Sequence, residues 1–192
     1  MSMDLMIKKA IDTAKQVVAN VETSRYGDPT PCTERNVKDM ANHMTEFLVM
    51  TEMAARKQPA MDGSGDAPDL VGDNPGPVYA GLADKAAAAW SAPGALQGTT
   101  EFGPVGRVPV EVAAGITLME IAVHAWDLAA GSGQSYQMDP EVAEATWQAV
   151  QQVVTDDARK RGAFAAKVAV PADASTQDRI LGFTGRDPAW SA

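Results

Sequence analysis

Apolar residues recur near the start of the chain at Ile7, Ile11, Ala14, Val18 and Val21, the i, i+4, i+7, i+11, i+14 spacing of one helical face. The pattern predicts a helix ending around Glu22 to Tyr26, ahead of the breaker Gly27-Asp28-Pro29. A second stripe, Val37, Met40, Met44, Phe47 and Leu48, follows Asn36, which suits a helix N-cap, with Asp39 three residues on; it fades near Lys57. Residues 58–77 collect Pro59, Gly63, Gly65, Pro68, Gly72, Pro75, Gly76 and Pro77 and predict a long connection of the crossover, lid or disordered kind. A third helix carries Val78, Leu82, Ala86, Ala89 and Trp90 on one side.

Further on the period changes. Thr99 to Phe102 and Val105 to Val108 flank Gly103-Pro104 and predict a short extended hairpin. Pro109 fits the first turn of a fourth helix, which runs to about Ala130 with Gly131 as its C-cap. Asp139-Pro140-Glu141 signals a fifth helix, Val168 to Val170 a strand, and Ser175 to Phe183 a last short helix. Together these elements predict a mainly all-α fold: a four-helix bundle with a long crossover, a short hairpin and extra C-terminal helices.

Composition supports that reading. The 192 residues are enough for one compact domain, expected over 1–192, and 45% of them are hydrophobic while only 6% are aromatic, which favours helices over strands. A net charge of -9 would repel a phosphate backbone, so nucleic acid is not an expected partner. The triplet Arg159-Lys160-Arg161 is too short to change this and better suits a helix C-terminus. The single cysteine, Cys32, cannot form an internal disulfide, so no oxidising compartment is required. Lys8, Lys9, Asp12, Lys15 and Gln16 interrupt any apolar signal core in Met1 to Val21, and no stretch is expected to span a bilayer. The expectation is a cytoplasmic protein without a membrane partner.

The fourth helix carries the clearest chemistry. Val112, Ile116, Glu120, His124 and Leu128 form one i+4 row, so a carboxylate and an imidazole interrupt an apolar ridge. Burying an unpaired carboxylate there is costly, and a cation shared with His124 would offset the cost. His43 lies three residues after Met40 and four before Phe47, on the core-facing stripe of the second helix. The chain has two histidines, and both fall on such stripes. Two imidazoles and one carboxylate would leave coordination positions open, as a reactive metal site needs. The plainer reading is two hydrogen-bonded core histidines and a Glu-x-x-x-His pair arising by chance.

Other residues carry weaker signals. Cys32 is either a thiol activated beside a helix N-terminus or, more commonly for such a residue, a small buried side chain in a turn. Asp127 either orients His124 from behind or is a solvated helix carboxylate. Trp90, Trp126 and Trp147 read as core, and Met40, Met44, Met50 and Met53 as adaptable packing.

Thr30-Pro31-Cys32, with Val37-Lys38-Asp39-Met40 and Asn42-His43, resembles the first motif of the DinB-like superfamily in its mycothiol-dependent maleylpyruvate isomerase branch. Glu120 to Leu128 resembles the second motif, and Phe102-Gly103 through Val110 the segment leading into it. Asp178-Arg179 with Thr184-Gly185-Arg186-Asp187-Pro188 resembles the C-terminal signature. The resemblance implies a four-helix bundle whose central divalent metal is held at positions matching His43, Glu120 and His124. It also implies activation of the thiol of mycothiol or a related cofactor. Two departures stand out. Arg35 occupies a position where the family usually has tryptophan, and the isomerase itself has an additional C-terminal domain not seen in this short chain.

The expected function is therefore a metal-dependent thiol transferase acting on a small electrophile rather than a maleylpyruvate isomerase. Zinc suits the ligand types best, and nickel, iron or manganese would also fit. The alternatives are a metal-dependent hydrolase, which would need no thiol, and a non-enzymatic metal-binding stress-response module. A homodimer is left open, since no exposed apolar stripe demands one.

Overall fold

The computed structural model describes residues 2–60 and 69–191. Gly63, Gly65 and Pro68 of the expected long connection lie outside the described residues. The elements are α1 (Met3–Ala19), α2 (Val37–Ala55), α3 (Pro75–Trp90), β1 (Thr99–Phe102), β2 (Gly106–Pro109), α4 (Val110–Gly131), α5 (Pro140–Val153), α6 (Asp156–Lys160) and α7 (Thr176–Thr184). This is the mainly helical fold with one short hairpin that the periodicity predicts.

Local signals account for most helix starts. The Asn36 side chain accepts from Asp39 N to begin α2. Asp139 accepts from Glu141 N and Val142 N to begin α5, and Ser175 accepts from Asp178 N to begin α7. α1 stops at Ala19, earlier than the stripe suggests. Val21 is still buried, but it lies beyond the helix, before a 3-10 turn over Thr23–Arg25. Pro109 caps α4 instead of entering its first turn.

α1 packs on α3 and α4, and α2 packs on the same two, so the ring order is α1-α3-α2-α4. α1 and α2 therefore face each other across the bundle, and the long connection after α2 joins ring neighbours. α5 lies on α4 and α1, and α7 lies on α5. One apolar cluster joins residues of α1 through α5 and α7. A buried polar link crosses three helices: Trp90 Nε1 donates to Thr51 Oγ1 at 2.9 Å, and Thr51 Oγ1 meets Thr117 Oγ1 at 2.5 Å.

Several expectations need correction. The buried face of α3 is Tyr79, Ala83, Ala86, Ala89 and Trp90, while Val78 is exposed and Leu82 only partly buried. The cause is tertiary: α3 is wedged between α1 and α2, and Gly76 lets it approach closely, since a Cβ there would lie 3.2 Å from Ala19 Cα. The second hairpin strand begins at Gly106, one residue late, because a 3-10 turn takes Gly103–Val105. Val168 to Val170 form no strand; Val168 N donates to Gly182 O of α7 at 2.9 Å instead. α6, a single turn, was not expected, although Arg159 and Lys160 do close its C-terminus. α4 is long and apolar enough to cross a membrane by length and composition, contrary to the sequence expectation, and here it is the buried central helix.

Candidate metal centre

α2 and α4 are ring neighbours, and their packing brings together the three residues singled out from the sequence. Met40 and Phe47 anchor His43 from below and above on α2, both of them buried. On α4 the i, i+4 spacing stacks Glu120 and His124 on one ridge. Glu120 Oε2 stands 3.1 Å from His124 Nε2 and 3.6 Å from His43 Nε2. The two imidazole rings meet edge to face with centroids 5.0 Å apart. Side-chain exposures of 25% for His43, 22% for Glu120 and 11% for His124 leave the group open to a ligand from one side.

That side is a cleft of about 510 Å³. Its walls are the loop carrying Cys32 and Arg35, the segment around Phe164, and Arg186 beyond α7. A bridge between Pro29 and Asn36 closes the first of these walls, and Thr30 Oγ1 reaches Cys32 O at 3.1 Å and Arg35 O at 2.7 Å within it. Cys32 is half-buried in this turn. Gly185, at φ +89, turns the chain out of α7 so that Arg186 can reach α4.

Behind His124 lies a second tier. Asp127 is fully buried and its Oδ2 lies 2.9 Å from His124 Nδ1. Arg186 grips both Asp127 oxygens, with Nη2 to Oδ2 at 2.9 Å and Nε to Oδ1 at 3.3 Å, and donates through Nη1 to Thr184 O. Burial by itself would raise the Asp127 pKa, but the His124 hydrogen bond and the Arg186 charge outweigh it and hold the carboxyl below its ordinary range. Of the two readings for Asp127, the orienting one matches this geometry and the solvated one does not.

An ionised Asp127 can only accept, so His124 Nδ1 carries the hydrogen. In a neutral ring the remaining nitrogen, Nε2, then aims a lone pair at the Glu120 carboxylate, which repels it. A positive species has to lie between them, and both a proton and a metal cation meet that requirement. Without metal, burial opposes charge on both groups, yet their attraction prevails. The carboxyl of Glu120 is held well below the usual carboxylate range by the two imidazoles, His124 foremost. The Glu120 charge, and then the Asp127 hydrogen bond, push His124 up to about 9.

The donor set also suits a metal by spacing. Two ligand atoms each about 2.1 Å from one ion at a tetrahedral angle stand about 3.4 Å apart; the 3.1 and 3.6 Å separations bracket that value. All three donor atoms lie within 4.8 Å of one another. The residues fit a divalent cation, and the cleft opens beside them.

Sequence reasoning missed the role of Arg186. Arg186 lies in the Thr184-Gly185-Arg186 stretch, where a glycine just past a helix followed by a cation was the available signal. Arg35, at the position where the family usually has tryptophan, lines the same cleft with its Nη2 3.4 Å from His43 Nδ1. Trp90 and Trp126 are buried as expected, whereas Trp147 sits at the α5–α7 seam, edge-on to Phe183 with the Arg179 guanidinium over its ring.

Residues 7–129 match the family described as the mycothiol maleylpyruvate isomerase N-terminal domain. Two uncharacterized proteins of Mycobacterium tuberculosis, from strains CDC 1551 / Oshkosh and H37Rv, are each 32% identical to this chain over 180 residues, covering 93% of it and 94% of their own length. No solved structure matches the chain.

Proposed function

The chain belongs to the mycothiol maleylpyruvate isomerase N-terminal domain family, and from that premise we propose that it is a single-domain, metal-dependent thiol transferase whose metal is held by His43, Glu120 and His124. The observation that carries the proposal is the convergence of these three side chains from two helices on the floor of an open cleft. A divalent cation, zinc by preference, would lower the pKa of a bound thiol such as mycothiol and make a thiolate nucleophile available near neutral pH.

The chain's own residues do the rest. Asp127, fixed by Arg186, holds the hydrogen on His124 Nδ1, so that Nε2 would be the nitrogen offered to a metal. Glu120 brings negative charge that the two imidazoles alone would lack. The cleft of about 510 Å³ over this floor is of the size that small-molecule sites have.

The first test is elemental mass spectrometry on the untagged protein and on His43→Ala and His124→Ala. About one metal per chain in the wild type, lost in both variants, supports the centre. A thiol-conjugation assay then tests the activity: turnover that needs both thiol and metal supports the transferase. Turnover without thiol would point to hydrolysis, and conjugation that survives in metal-free His124→Ala would overturn the proposal.

A further inference from the structure

We propose that Arg35 restrains the metal affinity of the centre by holding His43 in the tautomer that cannot ligate through Nε2, an inference that rests on the metal-centre reading above. A guanidinium has only donors. With Arg35 Nη2 3.4 Å from His43 Nδ1, that ring nitrogen is the acceptor. A neutral imidazole has a single in-plane lone pair, and here it is turned to Arg35. The hydrogen therefore sits on Nε2, pointing toward Glu120 Oε2 at 3.6 Å. A metal between Nε2 and Glu120 needs the opposite arrangement, with the lone pair on Nε2 and the hydrogen on Nδ1, where Arg35 stands.

His124 shows the contrast within the same site. Its Nδ1 hydrogen goes to an acceptor, Asp127, so Nε2 is the nitrogen that would take a metal in place of a proton. One histidine is preset for metal by a carboxylate behind it, and the other is set against metal by a cation behind it. The Arg35 backbone is tied into the loop: its N–H donates to Cys32 O at 2.9 Å and its carbonyl accepts from Thr30 Oγ1. Among the described residues no carboxylate pairs with its guanidinium, so nothing competes with His43 for it. Loading the site then requires the Arg35–His43 bond to break and the ring to exchange its hydrogen with water, leaving Nε2 and appearing on Nδ1.

Two measurements test this. The first is a long-range proton–nitrogen correlation spectrum of the full-length, metal-free chain, which resolves the ring nitrogens of its two histidines. We expect His43 with its hydrogen on Nε2, moving to Nδ1 when zinc is added. A metal-free His43 already carrying it on Nδ1 overturns the proposal whether or not metal binds. The second is zinc titration by calorimetry. Arg35→Ala, which removes the donor, should bind about tenfold more tightly than wild type. Arg35→Gln, whose carbonyl can accept from Nδ1–H, should bind at least as tightly as Arg35→Ala. A tenfold gain in Arg35→Ala whose metal-free His43 still keeps its hydrogen on Nε2 would mean that bare charge is responsible and would overturn the proposal. Equal affinities across wild type and both Arg35 variants overturn this proposal alone. No zinc uptake by any of them overturns the metal centre and this proposal with it.

Discussion

Asp127 illustrates what a single buried carboxylate does here, because it serves His124 and Arg186 at once. Asp127→Asn would free His124 to change tautomer and leave Arg186 buried without its counter-charge. Metal affinity should fall by about 10- to 100-fold, and urea unfolding should show a loss of about 3 kcal/mol or more. An asparagine variant with wild-type affinity would remove Asp127 from the centre. The protonation of His124 sets a second expectation. In the metal-free chain its pKa is raised from 6.5 to about 9, so a metal must displace a proton at neutral pH. Apparent affinity should climb with pH until about 9, and uptake near neutrality should release about one proton per chain, read by calorimetry in buffers of different ionisation heat. The same shift stabilises the metal-free fold fully below 6.5 and is lost as pH rises through about 9. The depressed Glu120 and Asp127 act in the other sense, their contribution fading as pH falls below the ordinary carboxylate range. The sequence made the trio legible because both histidines and Glu120 fall on apolar stripes. It could not do the same for Arg186 or Arg35, whose positions beside the trio depend on which loops fold over the cleft.

At the scale of the elements, local chemistry was readable and tertiary choice was not. Asn36, Asp139 and Ser175 cap their helices through bonds two or three residues away, so their signal is contained in the sequence around them. The face of α3 turned out one step rotated, because α1 and α2 decide which arc is covered. Val168 to Val170 have strand composition, but among the described residues no strand lies beside them to pair with. Gly131 is the most instructive case. It reads as a C-cap, yet it is the last residue of α4, Ser132 takes the cap, and Gly133 adopts φ +73. Its function is closeness: a Cβ there would come within 2.8 Å of Pro29 O and of Thr30 Cγ2. Gly131→Ala should destabilise the protein by about 1–3 kcal/mol in urea titration, and the strain falls on the loop that carries Cys32 and Arg35. An alanine variant as stable as wild type would show that this loop yields freely.

For the whole molecule, four apolar stripes were enough to predict a bundle, since each stripe must be buried against something. They did not specify the ring order, because a stripe says that a face is covered and not which helix covers it. A metal at the trio would link this architecture to stability. An ion that binds the folded chain alone raises stability by mass action, by about 2.7 kcal/mol at a hundredfold excess over Kd. The melting temperature of the wild type should therefore rise with added zinc while that of His124→Ala stays flat; a flat wild type would count against the centre. The three donors also come from only two helices, and His43 and Glu120 are about eighty residues apart along the chain. An ion held between them would work as a reversible clasp around a closed loop containing α3 and the hairpin. A chain nicked anywhere inside that loop would keep its two halves fastened at α2 and α4 while the ion stays in place, and a chelator would open the fastening without cutting another bond.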